Sequence, residues 1–440
     1  VEIILSIVYL FLFLFVTWRW RIFRLPGLPE WVSPAVLLLK FCAGLTLTWI
    51  YTDIYTDRSS ADIFKLFDDS AYMYEALDSK PMDFFKMVFG LDHNAPYYDH
   101  YYFKMNNWYR PYDLDYSVYN DTRTLIRLNA AIRIFSFGYY SIHILFWCLI
   151  SLTGLSLLYR AFYRFLSDRP YWLWVSVFLL PSVVCWGSGV LKEGIVFFLL
   201  GLLIYTFFQW IYAGFRMKYL LIILFTILGF NLLKVHILLS LLPGMIALIV
   251  CKLNRYKKVG VVFPIVLFIL TILALNIQLI IPSINFMEVL SIKQQAILRL
   301  AYYVDSGSAI SMNPLHPNVM SFLRNLPEAI INATFRPSIW DADTSLQWFA
   351  ALENLFLTVF IIMCIGLYTK QTDPVKLSVV WFCFSFVLIL FSMMGLTTPI
   401  LGTLVRYRMP ALPFLFIGFI LITDTKRLKR LLLQVIFYGI

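Results

Sequence analysis

Residues 195–208 read IVFFLLGLLIYTFF, a run with no charged group. A helix built from it is apolar all round, which is stable only where no face meets water, in a large core or a bilayer. It lies in one of eleven comparable runs, at about 3–17, 34–52, 136–159, 171–189, 193–215, 219–233, 237–251, 259–281, 348–367, 377–395 and 409–423. A membrane helix needs about 20 mostly apolar residues, and lipid offers no partner to backbone polar groups, so only helices or a closed barrel can cross. The alternating pattern of barrel strands is missing from these runs. The expected fold class is therefore all-α, a polytopic membrane helix bundle of about 11 spans forming one transmembrane domain over residues 1–440.

Composition excludes a soluble domain. The chain is 61% hydrophobic and 14% charged, against about 45–50% and about 25% for soluble proteins. All six cysteines fall inside apolar runs, so they read as small buried hydrophobes and not as a disulfide framework.

The formal charge of +11 reads as topology. Alternate connections hold Arg19, Arg21 and Arg24; Arg160, Arg164 and Arg169; Arg216 and Lys218; Lys252, Arg255, Lys257 and Lys258; Lys370 and Lys376; and Lys426, Arg427, Lys429 and Arg430. Against these stand Glu30, Asp168, Asp373 and Asp424. That set carries a surplus of 14 cations, and the rest of the chain is slightly acidic. Basic short loops stay in the cytoplasm. This places the N-terminus outside and the C-terminus inside a plasma (bacterial inner) membrane, and no nucleic-acid partner is implied. Lys234 and His236 separate the runs 219–233 and 237–251. Fusing these into one span would put the flanking basic loops on opposite faces, so two short or re-entrant helices fit better. The run 3–17 is either a short span or a retained signal-like anchor, since its arginines follow it.

Two connections on the outer side are long. Loop 1 (53–135) is rich in aromatics and acids, and the spacing of Ile63, Leu66, Phe67, Ser70, Tyr74 and Leu77 predicts a helix over 61–77 near the membrane surface. Loop 2 (282–347) holds Pro282, Pro314, Pro317, Pro327 and Pro337, which should break it into short pieces. The chain has no phosphate-binding glycine loop, dinucleotide fingerprint or metal-spaced Cys/His cluster, which disfavours ATP-driven transport.

Ionisable groups near span ends are the candidate site residues. Lys192 and Glu193 follow Gly187, Ser188 and Gly189 at the expected start of a helix. A helix N-terminus beside a lysine suits an anion, and a tight turn with a local ion pair is the structural alternative. Lys234 and His236 are a second outer cationic point, or simply snorkel at a helix end. Arg336, Asp341 and Asp343 precede the ninth run, in which Glu353 needs a partner that Arg336, Arg406 or Arg408 could supply. Arg406 and Arg408 stand ahead of a proline-started helix, and arginine's planar fork suits phosphate oxygens. Asp68 and Asp69 are adjacent carboxylates that could provide a general base, hold a divalent cation, or form part of a solvated acidic loop.

Long outer loops after an early and a late helix, the Asp68–Asp69 pair followed by Tyr72, and RYRMPALPF at 406–414 together resemble bacterial integral-membrane glycosyltransferases of the C superfamily. The nearest likeness is to the group of protein O-mannosyltransferases and the aminoarabinose lipid A transferase. CWGSGVLKE at 185–193, FRPSIWD at 335–341 and ALEN at 351–354 resemble patterns in bacterial relatives. The likeness covers the topology broadly and about 30 residues by motif. In the family the acidic loop follows the first helix, whereas here it follows the second, and Asp53 and Asp57 rival Asp68 and Asp69 for closeness to the helix end.

The resemblance implies sugar transfer from a polyprenyl-phosphate carrier to a lipid, glycan or protein acceptor on the outer face, among membrane lipids. Asp68 or Asp69 would be the base. Lys192, Lys234, Arg336, Arg406 and Arg408 would hold the carrier phosphate, with Glu193, His236, Asp341 and Glu353 in support. Rival readings are an O-antigen-type polymerase or ligase, a lipid or solute transporter or flippase, and a non-enzymatic subunit of a membrane complex.

Overall fold

The computed structural model describes residues 1–54, 57–59, 61–91, 96–109, 120–283, 285–303 and 307–438. Among these, regular structure is helical, with only two isolated β-bridges, Ala309 with Ile400 and Tyr368 with Thr423. The expected all-α polytopic bundle is what is observed. Among the described residues, eight helical stretches are long and apolar enough to cross a membrane: Glu2–Arg19, Val32–Ile54, Tyr140–Tyr163, Lys192–Ala213, Val235–Leu253, Ser345–Gly366, Pro374–Thr397 and Leu401–Leu421. Met217–Leu233 and Val259–Leu275 are apolar and shorter.

In chain order the helices are α1 Glu2–Arg19, α2 Val32–Trp49, α3 Asp62–Ser79, α4 Pro81–Phe89, α5 Asp99–Tyr102, α6 Asp121–Ser136, α7 Tyr140–Tyr163, α8 Pro170–Phe178, α9 Pro181–Trp186, α10 Lys192–Ala213 and α11 Met217–Leu233. They continue as α12 Val235–Leu253, α13 Val259–Leu275, α14 Phe286–Tyr303, α15 Val319–Phe335, α16 Ser345–Gly366, α17 Pro374–Thr397, α18 Leu401–Arg408, α19 Leu412–Leu421 and α20 Thr425–Tyr438.

Three expectations are revised. The run 171–189 is two helices, because Pro181 lacks an N–H and its ring cannot follow a helical turn. The last long helix begins at Leu401 and not near 409. Pro410 sits in a tightened 3-10 turn, Met409–Ala411, which carries the helical path through, so the RYR element lies inside the helix and not ahead of it. Loop 2 forms two long helices, α14 and α15, and Pro327 is tolerated within α15. The break at Lys234 does separate α11 from α12.

The chain divides into two compact units. Unit 1 comprises residues 1–179 and 183–235, and unit 2 comprises 180–182 and 236–440. In unit 1, α7 and α10 pack backbone to backbone. A Cβ on Gly154 would lie 2.1 Å from the Phe197 carbonyl oxygen, and one on Gly201 1.8 Å from that of Gly154. Small residues permit this approach, which gains dispersion contacts where lipid supplies no hydrophobic drive. In unit 2, Gly395 of α17 receives the Ala329 carbonyl of α15 in the same way. Other helices carry large exposed apolar side chains, such as Leu221, Leu224, Phe225 and Leu228 on α11 and Val261, Ile265 and Phe268 on α13. Water would penalise such faces, whereas hydrocarbon does not.

The helix expected at 61–77 is α3. Its buried stripe is Ile63, Phe64, Leu66, Phe67, Ser70, Met73 and Ala76, so beyond Ser70 it turns to Met73 and Ala76 in place of Tyr74 and Leu77.

Candidate functional site

In unit 1, helix geometry separates the two adjacent aspartates, since successive residues are about 100° apart around the axis. Asp69 turns inward and is 2% exposed. It accepts the backbone N–H groups of Asn106 (3.0 Å) and Asn107 (2.8 Å), and so pins the segment after α5. Burial raises its pKa above the ordinary carboxylate value, the bonds from Asn107 and Asn106 oppose that shift, and the neighbouring Asp68 charge adds to it. Asp68 turns outward and meets Arg58 through two bonds, Nη2 at 2.7 Å and Nε at 2.8 Å, in an exposed fork.

Beneath α3 lies α6, whose arginines face inward. Arg133 donates to Ser70 Oγ (2.8 Å) and the Phe67 carbonyl (2.6 Å) and stacks over the Phe67 ring at 3.9 Å. Burial pushes its pKa down to about 10, so it stays charged near neutrality. Arg123 and Arg127 approach the Trp108 ring at 5.1 and 5.2 Å, and that ring stacks on Tyr102.

The start of α10 shares an apolar floor with α3, formed by Ala61, Ile63, Phe64 and Leu191. Lys192 pairs with Asp121 at the start of α6 and keeps a fifth of its side chain exposed. Glu193 is fully buried and accepts Lys234 Nζ at 2.9 Å. The local ion pair between Lys192 and Glu193 that was the structural alternative to an anion site is thus replaced by two pairs with other residues, because residues i and i+1 of a helix do not face each other. Lys234 does not snorkel, since its ammonium is buried on a carboxylate.

Under the glycine turn lies Lys40 of α2, 1% exposed, in the middle of an apolar span. A Cβ on Gly187 would sit 3.0 Å from Lys40 Nζ and 3.2 Å from Ser151 Oγ, and neither of those atoms has a hydrogen-bond partner.

In unit 2, Arg408 is fully buried. Its Nη1 donates to the carbonyls of Ala333 (2.7 Å), Arg336 (3.0 Å) and Thr334 (3.3 Å) at the end of α15, and Nη2 donates to Asn354 Oδ1. Asn354 in turn donates to the Pro337 carbonyl at 2.7 Å. A guanidinium thus serves the otherwise orphaned carbonyls of a helix C-terminus. Glu353 takes both of its hydrogen bonds from Ser182, N at 2.8 Å and Oγ, and not from any of the three arginines expected. Glu353 and Arg408 both line a small cavity of about 10 Å3. Asp341 accepts the Ser338 N–H and O–H at 2.7 Å each and meets Arg336 at 3.7 Å. Burial alone would raise its pKa, but the Ser338 bonds and the Arg336 charge leave it lowered. Arg406, two residues before Arg408 in α18, is half-buried, and the His236 ring lies 6.1 Å from that of Tyr407.

Among the described residues no cluster of three or more His, Cys, Asp or Glu could hold a metal ion. Asp68 and Asp69 point apart, toward a guanidinium and toward two amides. The residues that sequence reasoning missed are Lys40, Arg123, Arg127, Arg133 and Asn354. The signal for the α6 arginines was present, since 123, 126, 127, 130 and 133 form one helical stripe in which arginines alternate with Ile126 and Ala130. No protein-family model, curated protein or solved structure matches the chain.

Proposed function

We propose that the chain is a membrane glycosyltransferase. It moves a sugar from a polyprenyl-phosphate carrier to a hydroxyl of a lipid, glycan or protein acceptor on the outer face of the plasma (bacterial inner) membrane, with its C-terminus in the cytoplasm. The observation that supports this reading is the exposed Asp68 carboxylate on α3, which shares an apolar floor with the Lys192 end of α10. Asp68 takes the acceptor's O–H proton as the acceptor oxygen attacks the anomeric carbon. The bond from that carbon to the carrier's phosphate oxygen breaks, and the polyprenyl phosphate leaves with the electron pair. Lys192, at the positive dipole end of α10, offsets the charge that develops there. The exposed Arg58 fork must open for the acceptor to enter, and exposed ion pairs hold by only about 0–1 kcal/mol. Asp69 positions the 105–108 segment and keeps α3 in register.

Mass spectrometry of lipids co-purified with the full chain tests the proposal. A polyprenyl phosphate or its sugar conjugate is expected. Preparations that carry only bulk phospholipid, and that transfer no sugar from added polyprenyl-phosphate donors, would sink it.

A further inference from the structure

At one end of unit 2 the backbone ties three helix ends into a fixed corner. Thr369 N donates to the Ile422 carbonyl (2.7 Å), Asp424 N donates to that of Leu367 (3.0 Å), and Tyr368 bridges Thr423. Gln371 Nε2 adds a bond to the Leu421 carbonyl at 2.9 Å. The end of α16, the start of α17 and the turn from α19 into α20 are therefore held together.

Two acids lie in this corner, and both are committed to helix starts. Asp373 accepts from the backbone of Val375 (2.8 Å) and Lys376 (3.3 Å), and Asp424 from that of Lys426 (3.1 Å) and Arg427 (3.2 Å). Asp424 also meets Arg427 at 3.4 Å. Around them stand six cations. Lys370, Lys426, Arg427, Lys429 and Arg430 are exposed, and Lys376 is half-buried. On α20 the buried Leu428 docks the helix, while Lys426, Arg427, Lys429 and Arg430 turn out. Tyr368, 60% exposed, adds an aromatic ring of the kind that settles at headgroup level.

We propose that this corner binds anionic phospholipid headgroups. Two apolar membrane helices end here and a third begins, so the surface facing the cations is the headgroup layer of the bilayer, a plane of phosphodiesters with which a fixed set of cations engages together. A free phosphate ion meets only one or two exposed cations at a time and gains none of that multivalency.

The test uses the purified full chain in mixed phosphatidylcholine and phosphatidylglycerol bilayers, with spin-labelled lipid of each type reporting the bound fraction. Phosphatidylglycerol should be preferred by a factor of about ten or more at low salt, and raised salt should reduce the preference. The variant carrying Lys426→Gln, Arg427→Gln, Lys429→Gln and Arg430→Gln should lose most of it. If that variant fails to fold, Lys370→Gln with Lys376→Gln should still weaken it, and inorganic phosphate should not compete at matched ionic strength. An equal preference in variant and parent, insensitivity to salt, or displacement by inorganic phosphate would overturn the proposal.

Discussion

The Glu193 carboxylate receives the Lys234 ammonium at 2.9 Å with both side chains withdrawn from solvent, joining the first turn of α10 to the residue that ends α11 as its C-cap, across 41 positions of sequence. Removing one member leaves the other charge buried alone, which costs about 3–5 kcal/mol, whereas removing both costs far less. Glu193→Gln and Lys234→Met should each lower unfolding stability in detergent by that order, and the double variant should recover most of the loss. Additive losses in the double variant would show that the two residues act separately.

Asp68 and Asp69 should respond in opposite ways to the same substitution. Asp68→Asn removes the proposed base and should cut transfer by about 10²–10⁴ while leaving stability almost unchanged. Asp69→Asn loses one of two amide contacts and should cost about 1–3 kcal/mol in stability. Full transfer activity in both variants would remove the base from α3.

The raised pKa of Asp69 carries its own pH signature. Its folded value lies above the ordinary 3.8, so between the two values the folded state binds more proton than the unfolded. Stability therefore falls as pH rises through that window. This contribution is greatest below about 3.8 and gone above the folded pKa. Stability against pH, measured as the difference between the parent and Asp69→Asn, should slope downward across this acid window and be flat beyond it. An upward slope would reverse the assignment.

What could be read from the chain alone was whatever repeats locally. Apolar runs such as 195–208 announce membrane helices because every residue reports the same environment, and α3 was visible through its stripe. Long-range partners left no local trace. Ser182 lies 171 residues from Glu353, and no spacing rule links a serine after a helix break to a carboxylate in a distant span. Arg408 was placed with the phosphate-binding groups because Pro410 looked like a helix start, but the tightened 3-10 turn carries the helix past it and turns the arginine onto carbonyls. Lys40 was overlooked because one cation barely lowers the mean hydropathy of a long run, although in a bilayer it is the costliest residue of that run.

The buried Arg408 should be far less replaceable than its exposed neighbours. Lysine keeps the charge but cannot serve three carbonyls and Asn354 Oδ1 from one planar fork. Arg408→Lys is expected to destabilise unit 2 by about 2 kcal/mol or more, whereas Lys429→Gln on α20 should stay within about 0.5 kcal/mol. Thermal unfolding of both in the same detergent makes the comparison, and equal midpoints would refute the carbonyl-gathering role.

The contact between α7 and α10 offers the cleanest packing test, because its geometry leaves no side chain to yield. A methyl group on Gly201 would meet the Gly154 backbone at 1.8 Å, and one on Gly154 the Phe197 carbonyl at 2.1 Å, so the helices themselves must separate. Overpacking of this kind costs about 1–3 kcal/mol, and parting two backbones along a shared face belongs at the upper end. Gly260 of α13 is the control, with nothing within 4 Å of its would-be Cβ. There alanine's better helix propensity should leave stability unchanged or raise it by about 0.5–1 kcal/mol. Unfolding of Gly154→Ala, Gly201→Ala and Gly260→Ala under one set of conditions should therefore give two large losses and no loss in the third. A similar loss at all three positions would mean that the glycines matter for flexibility and not for helix approach.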